Sequence, residues 1–127
     1  MDKVIELKLN EIVRKISKIK SVSVIFLFGS QINGRARQDS DIDIAILTKN
    51  SSEDDEWKIV GNGNDKFEIH LFNKLPLIIQ FRVIREGKLL FVRDEKYLHD
   101  IRFKVIKYYL DFSYFINKFY LRAIENA

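Results

Sequence analysis

Residues 26–47 read FLFGSQINGRARQDSDIDIAIL. An apolar run halts at Gly29-Ser30, and a second resumes inside Asp41-Ile42-Asp43. Ser21 to Phe28, SVSVIFLF, is β-branched and aromatic and predicts a buried strand that stops at Gly29. Asp41 to Leu47 predicts a second strand. Residues i and i+2 of a strand share a face, so Asp41 and Asp43 project together while Ile42 and Ile44 point the other way. Two neighbouring carboxylates repel unless one is protonated or a cation lies between them. Oxygen donors in a chain without cysteine suit Mg²⁺ or Mn²⁺.

A two-ion site needs a further carboxylate, which another strand must bring. Glu68 in KFEIHLF is the candidate, because Phe67 and Ile69 alternate with it in a strand-like run. His70 shares the face of Glu68. It reads either as a neighbour of the site or as an ordinary half-exposed strand residue, and the second reading is preferred. Gly29 permits a sharp turn and close approach of the backbone to a ligand. If a helix starts after it, free backbone N–H groups and the Ser30 hydroxyl can hold phosphate oxygens. Arg35, Arg37 and Lys66 are either phosphate contacts or solvated charges. A phosphate cradle beside paired carboxylates is apparatus for phosphoryl or nucleotidyl transfer.

Outward from this stretch, residues 3–20 predict an amphipathic helix with Ile5, Leu9, Ile12, Val13, Ile16 and Ile19 on one stripe. Trp57–Val60 and Phe67–Phe72 flank GNGND, a strong turn signal, and predict a β-hairpin. Lys74 and Pro76 open a helix through about Arg85, EGKLLFV forms a turn and short strand, and a long helix starts at Asp94, with a break near Asp111–Ser113. Its stripe of Leu98, Ile101, Val105, Tyr108, Phe112, Phe115 and Phe119 leaves other apolar side chains outside it. One reading is a core helix buried on two sides. The other places part of the set Tyr114, Phe115, Phe119 and Tyr120 in an interface, with a second copy or with a partner. Strands interleaved with helices indicate an α/β or α+β fold.

The 127 residues suit one domain, spanning 1–127, with 94–127 as a helical extension. A composition of 46% hydrophobic and 31% charged residues excludes a disordered chain. A net charge of +4 suits a phosphate-bearing ligand without demanding one. No signal-peptide core and no membrane-length apolar run is present, and the absence of cysteine is compatible with a cytoplasmic location. GNGND lacks the third glycine of a dinucleotide fingerprint. Arg93 and His99 superficially match the Arg-x(4–6)-His spacing of HEPN ribonucleases, which are helical proteins of a different layout.

The spacing Gly29-Ser30, ten residues, Asp41-x-Asp43 resembles the nucleotidyltransferase signature of the DNA polymerase beta superfamily. The wider stretch GSQINGRARQDSDIDIAIL is similar to its minimal nucleotidyltransferase branch, with Gly34, Arg37, Asp39 and Ser40 in matching positions. FEIHLFNKLPLIIQFRVIREGKLLFVRD continues the likeness and places Glu68 at the third acidic position, where aspartate is more usual. Asn33 and Gln38 also depart from the pattern, as does the segment between Asp43 and Glu68, which reads as short and without a helix.

The resemblance implies a mixed-sheet nucleotidyltransferase core flanked by helices. It implies two Mg²⁺ ions on Asp41, Asp43 and Glu68, and ATP held through Gly29, Ser30 and Arg37. It further implies an antitoxin that transfers AMP to a tyrosine hydroxyl of a cognate HEPN ribonuclease toxin. Two other functions fit: an antitoxin that neutralises by binding alone, and a small-molecule transferase of the aminoglycoside type. The short chain, without a second substrate domain, disfavours the latter.

Overall fold

Two apolar layers on opposite faces of one sheet organise the chain. The computed structural model describes residues 2–29 and 41–126. The elements are α1 (Lys3–Ser17), β1 (Val22–Phe28), β2 (Ile42–Thr48), α2 (Glu53–Val60), β3 (Phe67–Leu71), a 3₁₀ turn (Phe72–Lys74), α3 (Leu77–Glu86), β4 (Lys88–Val92) and α4 (Glu95–Glu125). The sheet order is β3-β2-β1-β4. β1 pairs antiparallel with β2 and with β4, whereas β2 and β3 run parallel, so the sheet is mixed.

β1 is a central strand with helices on both sides, which is why SVSVIFLF shows no polar alternation. Ile25 and Leu27 join Ile42, Ile44, Ile46 and Phe67 beneath α1. Val24, Phe26, Ala45 and Leu47 join Phe72, Val83, Leu98 and Val105 under α3 and α4. Val22 lies in the first layer although strict alternation would place it in the second. The register shift between Val22 and Val24 moves it across. Leu9, Ile12 and Ile16 of α1 carry the amphipathic stripe into the core.

The hairpin expected around GNGND does not form. Trp57–Val60 belongs to α2, and only Phe67–Leu71 is a strand. The helix follows from its N-terminus. The Ser52 hydroxyl accepts from the Asp55 N–H, the Asp55 carboxylate accepts from the Ser52 N–H, and four acids occupy the first turn. Ile59 is buried while Trp57 stays exposed, which is a helical rather than a strand pattern. This helix fills the segment that the sequence reading left without one, and a parallel β2–β3 pair requires such a crossover. The expected break in α4 is also absent, since Glu95–Glu125 runs without interruption.

Arg93 and Tyr97 tie α4 to the sheet. The Arg93 Nε–H donates to Val22 O at 2.9 Å, and a second guanidinium nitrogen donates to Ser17 O. The Tyr97 hydroxyl donates to Thr48 O at 2.8 Å. Arg93 therefore serves the fold. No helix among the described residues is long and apolar enough to cross a membrane.

Candidate active site

The parallel pairing of β2 with β3 sets Asp43 beside Glu68 and Ala45 beside His70. Paired residues on adjacent strands share a face, so Asp43, Glu68 and His70 emerge together from the face covered by α3 and α4. They do so at the end of the sheet where that cover stops. Asp43 and His70 side chains are each 26% exposed and Glu68 58%, so the cluster opens to solvent. One ligand atom from each of the three lies within 4.8 Å of the others.

His70 lies beside both carboxylates. Its Nε2 lies 3.1 Å from Asp43 Oδ1 and 3.8 Å from Glu68 Oε1. An ionised carboxylate only accepts, so the shorter contact requires the proton on Nε2. The ring is held edge-on to Phe28, with centroids 5.5 Å apart. The preferred reading of His70 as an ordinary strand residue is therefore corrected. Its alternation with Glu68 was visible in the sequence, but its contact with Asp43 depends on the parallel register, which was not.

Gly29 has two independent reasons to be glycine. Its φ of +91° is unfavourable for other residues, and a Cβ there would sit 2.4 Å from Asp43 Oδ2. The turn after β1 thus brings bare backbone against the carboxylate on β2. Phe28 pairs with Asp43 across the two strands. Ile79, Arg82 and Glu86 of α3 complete the walls of an adjoining cleft of about 190 Å³, also lined by Phe28, Gly29 and Asp43. Arg82 and Glu86, one helical turn apart, escaped the sequence reading because nothing in a surface helix marks which turn faces a distant strand. A larger cavity of about 510 Å³ lies by α1 and the turn before β3, among Lys8, Lys15, Asn64 and Phe67. It lacks the carboxylate cluster, so volume does not mark the site.

The expected set is brought together in part. Asp43 and Glu68 converge, with Gly29 against Asp43. Asp41 is exposed just before β2 and lies outside the three-residue cluster. Ser30 and Arg37, with the short helix or ordered loop expected between them, lie outside the described residues. So do Gly34, Arg35, Asp39 and Ser40.

Comparison with known proteins decides the family. The polymerase beta nucleotidyltransferase domain matches residues 10–96, a stretch that includes the strand-end glycine and all three acids. The chain belongs to the polymerase beta nucleotidyltransferase family. A Methanocaldococcus jannaschii protein, provisionally named a protein adenylyltransferase, is 31% identical over 87 residues, covering 68% of this chain and 69% of the relative. Among solved structures, a chain of a toxin–antitoxin complex with AMP-PNP superposes with a TM-score of 0.70 at 20% identity, covering 94% of this chain and 98% of its own. A chain from the complex of a tri-AMPylated Shewanella oneidensis HEPN toxin with its MNT antitoxin gives 0.67 at 18% identity, with the same coverage. These superpositions establish a fold shared over nearly the whole length of both chains.

Proposed function

We propose that this nucleotidyltransferase moves AMP from ATP to a tyrosine hydroxyl of a HEPN-type ribonuclease toxin and thereby acts as its antitoxin. The observation that carries the reading is the Asp43–Glu68–His70 cluster, set against the Gly29 backbone in a chain of this family. The names of the relatives point the same way: one for protein adenylyltransferase activity, others for complexes with AMP-PNP or an AMPylated toxin. On this reading residues 1–127 form one catalytic unit, with 94–127 as an extension for contacts, and the activity belongs in the cytoplasm.

The donor chemistry fits divalent cations. Asp43 and Glu68 offer hard oxygen ligands a few ångströms apart, and Asp41 stands two residues before Asp43, exposed at the entrance to β2. Two Mg²⁺ ions held by Asp41, Asp43 and Glu68 would neutralise charge on the triphosphate and on the departing pyrophosphate. The protein's own groups do the rest. Gly29, through its backbone, and Ser30 hold the β- and γ-phosphates, and Arg37 is a further contact to the nucleotide phosphates. Glu68 accepts the proton of the acceptor hydroxyl. The acceptor oxygen bonds to the α-phosphorus as the bond from that phosphorus to the bridging oxygen breaks, and pyrophosphate leaves in line. His70 orients Asp43 through its Nε2–H, the task of a group behind the ligand.

One observation favours neutralisation by binding alone: the His70 bond occupies an oxygen of Asp43 that a cation would use. Mass spectrometry of the toxin separates the two readings. Incubation with ATP and Mg²⁺ is expected to add one or more AMP groups at tyrosine and to abolish RNA cleavage. Neutralisation of an unmodified toxin would establish binding alone.

A further inference from the structure

We propose that α4 pairs antiparallel with the α4 of a second copy of this chain, through the helical stretch from about Lys104 to Glu125. Two independent features support it: the apolar stripe runs off the body of the protein, and the charges beside that stripe are self-complementary on reversal.

The stripe begins as core, with Leu98 and Val105 buried. Its continuation does not. Tyr108, Phe112, Phe115 and Phe119 fall on the same line at steps of three and four residues and are 50%, 45%, 75% and 67% exposed. At about 150–250 Å² per aromatic side chain, these residues present several hundred Å² of apolar surface. With their neighbours they approach the roughly 800 Å² per partner of a stable interface. α4 is 31 residues long, about 46 Å at 1.5 Å per residue, and among the described residues no other element packs against its outer half.

Along one edge of this stripe Lys104, Asp111, Lys118 and Glu125 follow one another at steps of seven. That spacing keeps them beside an apolar seam of helix on helix. Among the described residues none of the four makes an ion pair within its own chain. Their signs read plus, minus, plus, minus. In an antiparallel pair the same edge of each helix meets itself in reverse order. Lys104 then faces Glu125 of the second copy and Asp111 faces Lys118, and the two-fold axis repeats both pairs. That register also layers Phe112 on Phe115 and Tyr108 on Phe119. A parallel pair would set the charged edge beside Tyr109 and Ile116 and leave every charge unmatched. At the level where Phe119 of the second copy would sit, a cleft of about 220 Å³ opens between α4 and the body, lined by Phe72, Gln80, Lys104, Val105 and Tyr108.

Sedimentation equilibrium of the full chain at low salt and without nucleotide tests this apart from any catalysis. The wild type is expected to be a dimer at micromolar concentration. Lys118→Asp sets like charges against each other twice and should weaken the dimer about tenfold or more. The double exchange D111K/K118D restores both pairs and should return it to within about threefold of wild type. Circular dichroism establishes that each variant keeps its helix content. A wild type that stays monomeric at about 100 μM overturns the proposal and assigns the stripe to a different partner. A dimer indifferent to K118D, or not rescued by the double exchange, overturns the antiparallel register.

Discussion

The carboxylate edge of the sheet and the outer half of α4 both break a rule of stable folding, and they break opposite ones. At the edge, Asp43 and Glu68 place like charges on neighbouring strands. On outer α4, aromatic side chains stand in water. Sites where local rules fail are where function is expected. The difference lies in what supports each. Asp43 is held by strand pairing on both sides, by the Gly29 backbone and by His70, so its geometry exists before any ligand arrives. Among the described residues the outer aromatics have only their own helix, and a second surface would complete them. Chemistry requires preorganised charge, whereas recognition can complete itself on contact.

If the two regions are separable, a change in one should leave the other intact. Asp43→Ala should lower nucleotidyl transfer by about 10²–10³-fold or more, the scale of losing one preorganised electrostatic partner. The dimer should be unaffected, and removal of one of two repelling carboxylates should leave the melting temperature unchanged or slightly higher. Rate assays and thermal melts read the two effects separately. A variant that also dissociated would show the regions to be coupled.

His70→Gln sharpens the account of preorganisation. Glutamine can still donate a hydrogen bond but lacks the ring that packs on Phe28, so transfer should fall by about 10–100-fold. An accompanying rise in the Mg²⁺ concentration needed for half-maximal rate would mark a positioning role for His70. A rate unchanged at every Mg²⁺ concentration would remove it from the site. Gly29→Ala strains a left-handed backbone and drives a methyl group into Asp43. It should destabilise the protein by about 1–3 kcal/mol and impair transfer, as denaturant melts and rate assays would show. The smallest effect is the Ser52→Ala change at the α2 N-cap, far from both regions. Loss of the capping bond from the Asp55 N–H to the Ser52 hydroxyl should cost about 1 kcal/mol in a denaturant melt, with transfer per folded molecule unchanged.

The sequence carried the strands because their signals are local. SVSVIFLF is apolar on both faces, and IDIAIL alternates charge with aliphatic residues only at its start, where β2 leaves the covered face. α2 was misread for a physical reason. GNGND is a genuine turn, but a turn reports a reversal of the chain and not what lies before it. The capping box at Ser52 and Asp55, with acids through the first turn, was the available signal.

The site divides similarly. Asp43 and Glu68 were legible from alternation and spacing, because each strand fixes which side chains share a face. The parallel register that brings His70 to Asp43, and the α3 turn that brings Arg82 to the cleft, are tertiary facts. No window of sequence contains them. The exposed end of α4 was legible as an excess of aromatics over what one face can bury. Its charge pattern becomes informative only once the helix is continuous through Asp111.

The most direct test of the central claim follows the label from ATP to toxin. The protein, Mg²⁺ and a HEPN-type toxin would be incubated in parallel with ATP labelled at the α-phosphate and at the γ-phosphate, using wild type and Asp43→Ala. Label from the α-position alone is expected on a toxin tyrosine, with pyrophosphate released and with loss of the signal in the variant. Transfer of γ-label, or equal α-labelling by wild type and Asp43→Ala, would contradict nucleotidyl transfer at this carboxylate cluster.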